Sequence, residues 1–320
     1  MREPLVSVII PVYNVEPYLR ECLDSVLSQR YPSIEIIAIN DGSTDMSPAI
    51  LEEYKEKYKN LIVIHQENAG NSAARNRGMD AARGKYLYFL DADDYILPET
   101  LENIVPVMEE QELDIVRFSA KPFFDGIDPR NLNPNVYDCS RFFEARKVYG
   151  RKEFLQANIR GFLPSPCLYV LRRELVIGKN IRFQPDLPYE DELFTLLVFL
   201  HTRRAMYDPH FYYRRRYRPG SLMTSQNREE KKAFDGYYRL IQELGKLLPA
   251  HSDRFERKLI KSRIRSIYIS LTLKNIDPQY KRKKLAALSE LSKWEKIYYP
   301  ALYHGKELVK RVLRYHRGDI

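Results

Sequence analysis

Short apolar runs and amphipathic segments alternate five times between residues 5 and 118, and this alternation restricts the fold more than any other feature of the chain. Leu5-Val6-Ser7-Val8-Ile9-Ile10 reads as a strand ended by Pro11. A helix is expected from Pro17 to Gln29, with proline in its first turn and Tyr18, Leu19, Cys22 and Val26 on one face. Strand Ile34–Ile39 and a helix from Ser47 to Tyr58 follow, then strand Leu61–His65, a helix from Asn71 to Ala82 and strand Tyr86–Leu90. A helix from Pro98 to Glu110 and a fifth strand, Asp114–Phe118, complete the series. Nearly all-aliphatic strands separated by helices predict an α/β domain whose central, mostly parallel sheet is flanked by helices and joined by right-handed crossovers.

Ligands of such sheets bind beyond the carboxyl ends of the strands. Polar residues gather at those ends: Tyr13 and Asn14 after the first strand, Asp41 after the second, Asn68 to Ser72 after the third and Asp91-Ala92-Asp93-Asp94 after the fourth. Three carboxylates at the end of a buried strand are hard to explain as packing. At about 5 Å and an effective dielectric near 20, each like-charge pair repels by about 3 kcal/mol. A divalent cation would convert that repulsion into coordination and leave positions for a ligand's oxygens. Asp-rich strand ends also serve as helix N-caps, and Pro98-Glu99 opens a helix shortly afterwards.

The remaining sequence is less regular. Pro122 to Asn135 is turn-rich and reads as a lid; residues 151–160 read as a helix and Cys167–Leu171 as a strand. Tyr189-Glu190-Asp191 opens an apolar helix through Leu200, Tyr207–Tyr217 reads as one strand, and the chain is helical from Arg228, with breaks near Pro249, Pro278 and Pro300. With 44% hydrophobic and 30% charged residues among 320, the chain is globular. No apolar run approaches the ~18 residues that span a bilayer, and Met1-Arg2-Glu3-Pro4 leads into a strand without a signal-peptide pattern. Cys22, Cys139 and Cys167 lack CxxC spacing, so reduced thiols and a cytoplasmic location are expected. Residues 251–320 carry 18 Lys and Arg against 7 Asp and Glu, whereas the other 250 carry 34 against 36, so the basic excess belongs to the tail.

Four motifs occur in order: Val8-Ile9-Ile10-Pro11-Val12-Tyr13-Asn14, Asn40-Asp41-Gly42-Ser43-Thr44-Asp45, Ala74-Arg75-Asn76-Arg77-Gly78 and Leu90-Asp91-Ala92-Asp93-Asp94. Together they resemble the family 2 glycosyltransferases, inverting enzymes of the GT-A fold that use nucleotide-sugar donors. Glu190-Asp191 resembles the family's later acidic pair, and Arg216 to Ser221 its basic loop. The resemblance implies a catalytic domain over residues 1–225, with a nucleotide-sugar-binding half (1–118), an acceptor-binding half (119–225) and a basic helical appendage at 226–320.

The resemblance also implies roles. Asp41 at a strand end can accept a hydrogen bond from the N3–H of uracil, and its alternative is an Asx-turn before a helix. Pro11 and Tyr13 would lie along the base, unless Tyr13 is part of the core. Glu16 follows the Tyr-Asn pair and could equally complement a helix dipole. Arg75, a cation in the first turns of a helix, calls for acids or a nucleotide nearby, while Arg77 reads as solvated. Asp91 is assigned to the ribose and Asp93 to a metal, with Asp94 supporting. Two diphosphate oxygens and water would complete the shell of Mg²⁺ or Mn²⁺. Asp191 matches the general base, with Glu190 as its substitute; its alternative is an N-cap. Arg216, Arg218 and Ser221 would close over the diphosphate, although the extra arginines leave the register open and a solvated basic strand remains the alternative. His65, His201 and His210 lack ligand spacing and read as structural.

The implied activity is metal-dependent transfer of a single sugar, from a uridine diphosphate-sugar or similar donor to a glycan or lipid-linked acceptor, in surface polysaccharide assembly. The Gln-x-x-Arg-Trp motif of processive synthases is missing. A sugar nucleotidyltransferase would carry a Gly-rich loop after the first strand, where Pro11-Val12-Tyr13-Asn14 stands. A catalytically silent assembly protein would have lost Asp93 or Asp191. The basic tail suits the inner face of an anionic membrane, and equally an appendage that packs on the catalytic domain or forms a homodimer. Nucleic acid is excluded as a partner by the acidic rim and by the lack of a binding motif.

Overall fold

The structure, a computed structural model, describes residues 3–128, 130, 137–220 and 230–301. Strand and helix alternate through β1 (Val6–Val12), α1 (Glu16–Leu27), β2 (Ile34–Asp41), α2 (Ser47–Lys57), β3 (Leu61–Gln66), α3 (Asn71–Ala81) and β4 (Tyr86–Phe89). There follow β5 (Tyr95–Ile96), α4 (Thr100–Glu110), β6 (Ile115–Arg117), β7 (Ala120–Phe124), β8 (Val148–Gly150), α5 (Arg151–Gly161), β9 (Tyr169–Arg172), α6 (Arg173–Ile177), α7 (Glu190–His201), β10 (Arg204–Tyr207) and β11 (Tyr213–Tyr217). The chain divides into two compact units, residues 1–186 with 190–226, and residues 187–189 with 227–320.

In the first unit an eight-stranded sheet runs β3-β2-β1-β4-β9-β6-β10-β8, beside a three-stranded sheet, β5-β11-β7. β3, β2, β1 and β4 pair in parallel, as the aliphatic runs require, and β1 and β2 are buried almost throughout. α3 lies close on this layer because Gly78 has no side chain: a Cβ there would stand 2.4 Å from Ile9 Cγ2 and 2.9 Å from Ile39 Cδ1. Pro11 does not end β1. The alternating bonds of that strand turn its missing N–H toward β4, whose pairing has stopped at Ile9–Phe89, so no ladder bond is lost.

The sheet is mostly parallel, with β9 entering antiparallel between β4 and β6. Three expectations are corrected. The expected single strand Tyr207–Tyr217 is two strands in different sheets, β10 and β11, parted around Asp208-Pro209-His210, where Asp208 caps the turn by accepting from the His210 N–H at 3.0 Å. Pro122 to Phe124, expected in a lid, belong to β7, and residues 129 and 131–136 of that segment lie outside the described residues. Pro98 precedes α4 rather than opening it.

The second unit holds α8 (Glu230–Leu247), α9 (Arg254–Thr272), α10 (Pro278–Ala287) and a helical stretch over residues 293–301. Asp253 caps α9 by accepting from the Phe255 and Glu256 N–H groups, and Asp277 caps α10 ahead of its first proline. Pro300 lies inside the last helical stretch; the break falls before residue 293 instead. All three cysteines are free and buried, and no helix of the described residues is long and apolar enough to cross a membrane.

Candidate active site

The site is built at the carboxyl ends of β1, β2 and β4, with α3 as its floor. The Tyr13-Asn14 turn and the loop after β2 lock together: Asn14, at φ +50°, accepts from the Thr44 N–H at 2.8 Å, and its own N–H donates to Ser43 Oγ at 3.1 Å. The Tyr13 ring is 50% exposed, so it stands on the rim and the core alternative is overturned. Asp41 is the last residue of β2 and is buried. Its Oδ1 accepts from Gln66 Nε2 (2.7 Å) and the Ala69 N–H (2.9 Å), and its Oδ2 from the Gly70 N–H (2.9 Å). Asp41 thus holds the loop that leads into α3, with one acceptor position left on Oδ2. Glu16 accepts from the Met46 N–H at 3.1 Å while its own N–H donates to Asp45 at 2.9 Å, so the two acids cap each other's helices. Glu16 also stands in the first turn of α1, where it complements the helix dipole, and the Met46 bond takes only its Oε2.

Arg75 is the hub. Its guanidinium, 2% exposed, donates from Nη1 to Asp191 Oδ1 (2.8 Å) and Glu190 Oε1 (3.1 Å) and from Nη2 to Asp91 Oδ1 (2.9 Å). It therefore joins the end of β4 to the start of α7, 116 residues away from it in sequence. Packing explains the approach: Asn76 exchanges hydrogen bonds with the Phe183 backbone at 2.7 and 3.0 Å, and the Phe183 ring stacks on Phe194 of α7 at 3.7 Å. The same ring lies beneath the Arg75 guanidinium at 5.1 Å. Burial would lower the Arg75 pKa, but the surrounding Asp191 and Asp91 carboxylates raise it, so the charge is permanent. Asp191 is pushed up to about 7 by burial, with Glu190 and Asp91 adding to the shift and Arg75 opposing it. A third of its side chain still opens to the cleft. Arg77 is exposed, as expected.

The three acids after β4 have three environments. Asp91 belongs to Arg75. Asp94 is buried, accepts from the Tyr213 hydroxyl and from the Arg216 N–H (2.6 Å), and is pushed well above the usual carboxylate range by burial and by neighbouring Asp93. Asp93 accepts from Arg218 Nε at 2.9 Å through Oδ2 and has no protein donor on Oδ1 among the described residues. Arginines and a tyrosine bond the three acids, yet Asp93 and Asp91 still raise Asp94, and no group of three acids, cysteines or histidines that could hold a metal ion is found among the described residues. Asp93 Oδ1, like Asp91 Oδ2, accepts no hydrogen bond among the described residues and suits Mg²⁺ or Mn²⁺, with the rest of the shell left to a ligand and water.

Arg218 lies over the Tyr18 ring at 4.7 Å. Arg216 does not face the cleft with it: Nε donates to the Asp93 carbonyl at 2.8 Å, and the Nη atoms pair with Asp125 and Glu21. Ser221 lies outside the described residues. Tyr18, Tyr213, Phe183 and Asp125 were not foreseen as site residues, because nothing within a few positions of them signals an ion pair. The three histidines are structural: His65 bonds Asn40 and Glu52, His201 the Leu197 carbonyl, and His210 Asp208.

A parallel layer whose strand ends carry an aspartate and an Asp-x-Asp sequence, joined through a buried arginine to the acidic pair that opens α7, is the arrangement of the GT-A class. Residues 7–177, more than half of the chain, match the model of glycosyl transferase family 2. The chain belongs to that family. It is 36% identical over 220 residues to the uncharacterized glycosyltransferase EpsJ of Bacillus subtilis, covering 68% of this chain and 63% of that protein. It is 33% identical over 241 residues to the putative glycosyltransferase EpsH of the same organism, covering 73% of this chain and 66% of that protein. The aligned part thus spans just under two thirds of these relatives' length. Among solved structures, S. aureus TarS 1-349 superposes with a TM-score of 0.70 at 24% identity, covering 89% of this chain and 79% of that one, which establishes the shared fold.

Proposed function

We propose that this chain is an inverting glycosyltransferase that moves one sugar from a uridine diphosphate-sugar to a hydroxyl of a glycan or lipid-linked acceptor in surface polysaccharide assembly. The observation that carries the reading is the Arg75 hub, which brings Asp91 at the end of β4 within one guanidinium of Glu190 and Asp191. Inverting transfer needs a carboxylate beside the acceptor hydroxyl and a separate place for the departing diphosphate. Asp191, with a pKa near 7, suits the first task, since a base works best when its pKa lies near the working pH. Glu190, on the same guanidinium, helps hold Asp191 in place. Asp93 would hold a divalent cation, whose charge stabilises the leaving diphosphate, and Arg218 stands ready to follow that diphosphate. Pro11, Tyr13 and Asp41 border the base position, with the exposed Tyr13 ring as a stacking surface. TarS has been crystallised with UDP-GlcNAc, and a Pyrobaculum calidifontis mannosyltransferase with GDP-Man and Mn²⁺. Among further relatives is a minor teichoic acid biosynthesis protein of Bacillus subtilis.

The test uses two variants. Asp93→Ala should lose at least tenfold in Mn²⁺-dependent UDP affinity by calorimetry, and Asp191→Asn should keep that affinity while transfer falls by about 10²-fold or more. Unchanged metal-dependent binding in the first, or full activity in the second, would refute the assigned roles.

The second unit supports attachment to an anionic bilayer. Trp294, Ile297 and Tyr298 are exposed on one helical stretch beside Lys293 and Lys296. Sedimentation with phosphatidylglycerol vesicles but not with phosphatidylcholine vesicles is expected; equal binding to both, or to neither, would count against it.

A further inference from the structure

β11 sends successive side chains to opposite faces. Arg214 donates to the Phe211 carbonyl, and Arg216, on the same face, is bound to Asp93, Asp125 and Glu21. Arg215 points the other way, with Tyr213 and Tyr217. It is half-buried with its guanidinium over the Tyr137 ring, 5.1 Å from the centre, and it donates no hydrogen bond to any of the described residues. Tyr137 is held there by a bridge to Ala120 of β7, the strand paired with β11. A guanidinium carries five donors in a planar fork matched to carboxylate and phosphate, and stacking on an aromatic ring leaves that fork free. Asp94, Asp91 and Asp191 lie within reach of its field, yet none bonds it.

We propose that Arg215, backed by Tyr137, is an anion receptor that takes a phosphate group carried by the acceptor. The inference rests on the transferase reading above and deepens it by naming the acceptor's chemical class. Two observations favour the acceptor over the donor. Arg215 lies on the face of β11 opposite Arg216, whose guanidinium is tied to the Asp93 carbonyl, and the acids that share its field include Asp191, the carboxylate that must meet the acceptor hydroxyl, as well as Asp94 and Asp91. An anion approaching Asp91, Glu190 and Asp191 meets two uncompensated negative charges once Arg75 is counted; Arg215 supplies the offsetting charge with its donors unspent. The donor's own diphosphate offers the same chemistry, so the test separates the two sources.

Calorimetry on the full chain first titrates UDP with Mg²⁺, then titrates glycerol 3-phosphate into the UDP complex, with glycerol as the neutral control. The wild type should bind glycerol 3-phosphate and not glycerol. Arg215→Gln should weaken that binding at least tenfold while UDP affinity stays within twofold. Arg215→Lys, which keeps the charge but loses the fork, should weaken it at least threefold, and carries the test if the glutamine variant does not fold. Equal binding of glycerol 3-phosphate by wild type and variants, or none by wild type, overturns the inference, as it would if Arg215 were only a counter-charge to the acids. A tenfold loss of UDP affinity in Arg215→Gln assigns the fork to the donor and overturns the acceptor assignment. Failure of the wild type to bind UDP overturns the donor reading instead; glycerol 3-phosphate is then titrated into the free protein, where equal binding by wild type and Arg215→Gln overturns this inference.

Discussion

Replacing Arg75 with methionine keeps most of the side-chain volume and removes one buried charge that three carboxylates share at 2.8, 2.9 and 3.1 Å. With charge centres about 4 Å apart and an effective dielectric near 20, each pair attracts by about 4 kcal/mol, most of which is offset by the cost of burying the guanidinium. Removing one partner of a buried pair costs about 3–5 kcal/mol, because the other charge stays buried without compensation. Here Asp91 and Asp191 retain 28% and 33% exposure, and water screens them, so the lower end applies, about 3 kcal/mol. In thermal terms this is a fall of about 6–12 °C for a domain of this size. The sign with pH is fixed. Arg75 holds the folded-state pKa of Asp191 down against burial, so without it that pKa rises further above the unfolded value. The variant is therefore penalised least where Asp191 is protonated in both states, and increasingly as pH climbs through its folded value. Urea denaturation of wild type and variant at pH 5 and pH 8 measures both quantities. A loss below 1 kcal/mol at pH 8, or an equal loss at the two pH values, would refute the hub.

Asp191, held up to about 7, must be ionised to act as base, so kcat/KM for transfer should fall about tenfold per pH unit below that value and level off above it. A profile flat from pH 5.5 to 8 would remove Asp191 from the role. Gly78→Ala should cost about 1–3 kcal/mol, since its Cβ would press on Ile9 and Ile39 where α3 meets the sheet. An unmoved urea midpoint would show that α3 can lift without cost.

The sequence by itself determined the five strand–helix alternations and the rim at which their polar ends collect. Periodicity is written within a few residues of each element, and packing moved only boundaries there, carrying β1 through Pro11 and starting α4 after Pro98. Legible too, through their motifs, were Asp91, Asp93, Arg75, Glu190 and Asp191 as candidates, and Arg75 does pair with Asp91, Glu190 and Asp191. Only the tertiary structure decided how their charges pair. Arg75 meets Asp191 across 116 residues, Arg218 meets Asp93 across 125 and Tyr213 meets Asp94 across 119, separations at which no local pattern carries information. For the same reason no local pattern announces the bond from the Met46 N–H to Glu16, the tie of Arg216 to Asp125 and Glu21, or the stacking of Arg215 on Tyr137. Strand alternation assigns each of the three consecutive arginines a face, but only the packing of β11 between β5 and β7 decides which acids and which rings each face meets.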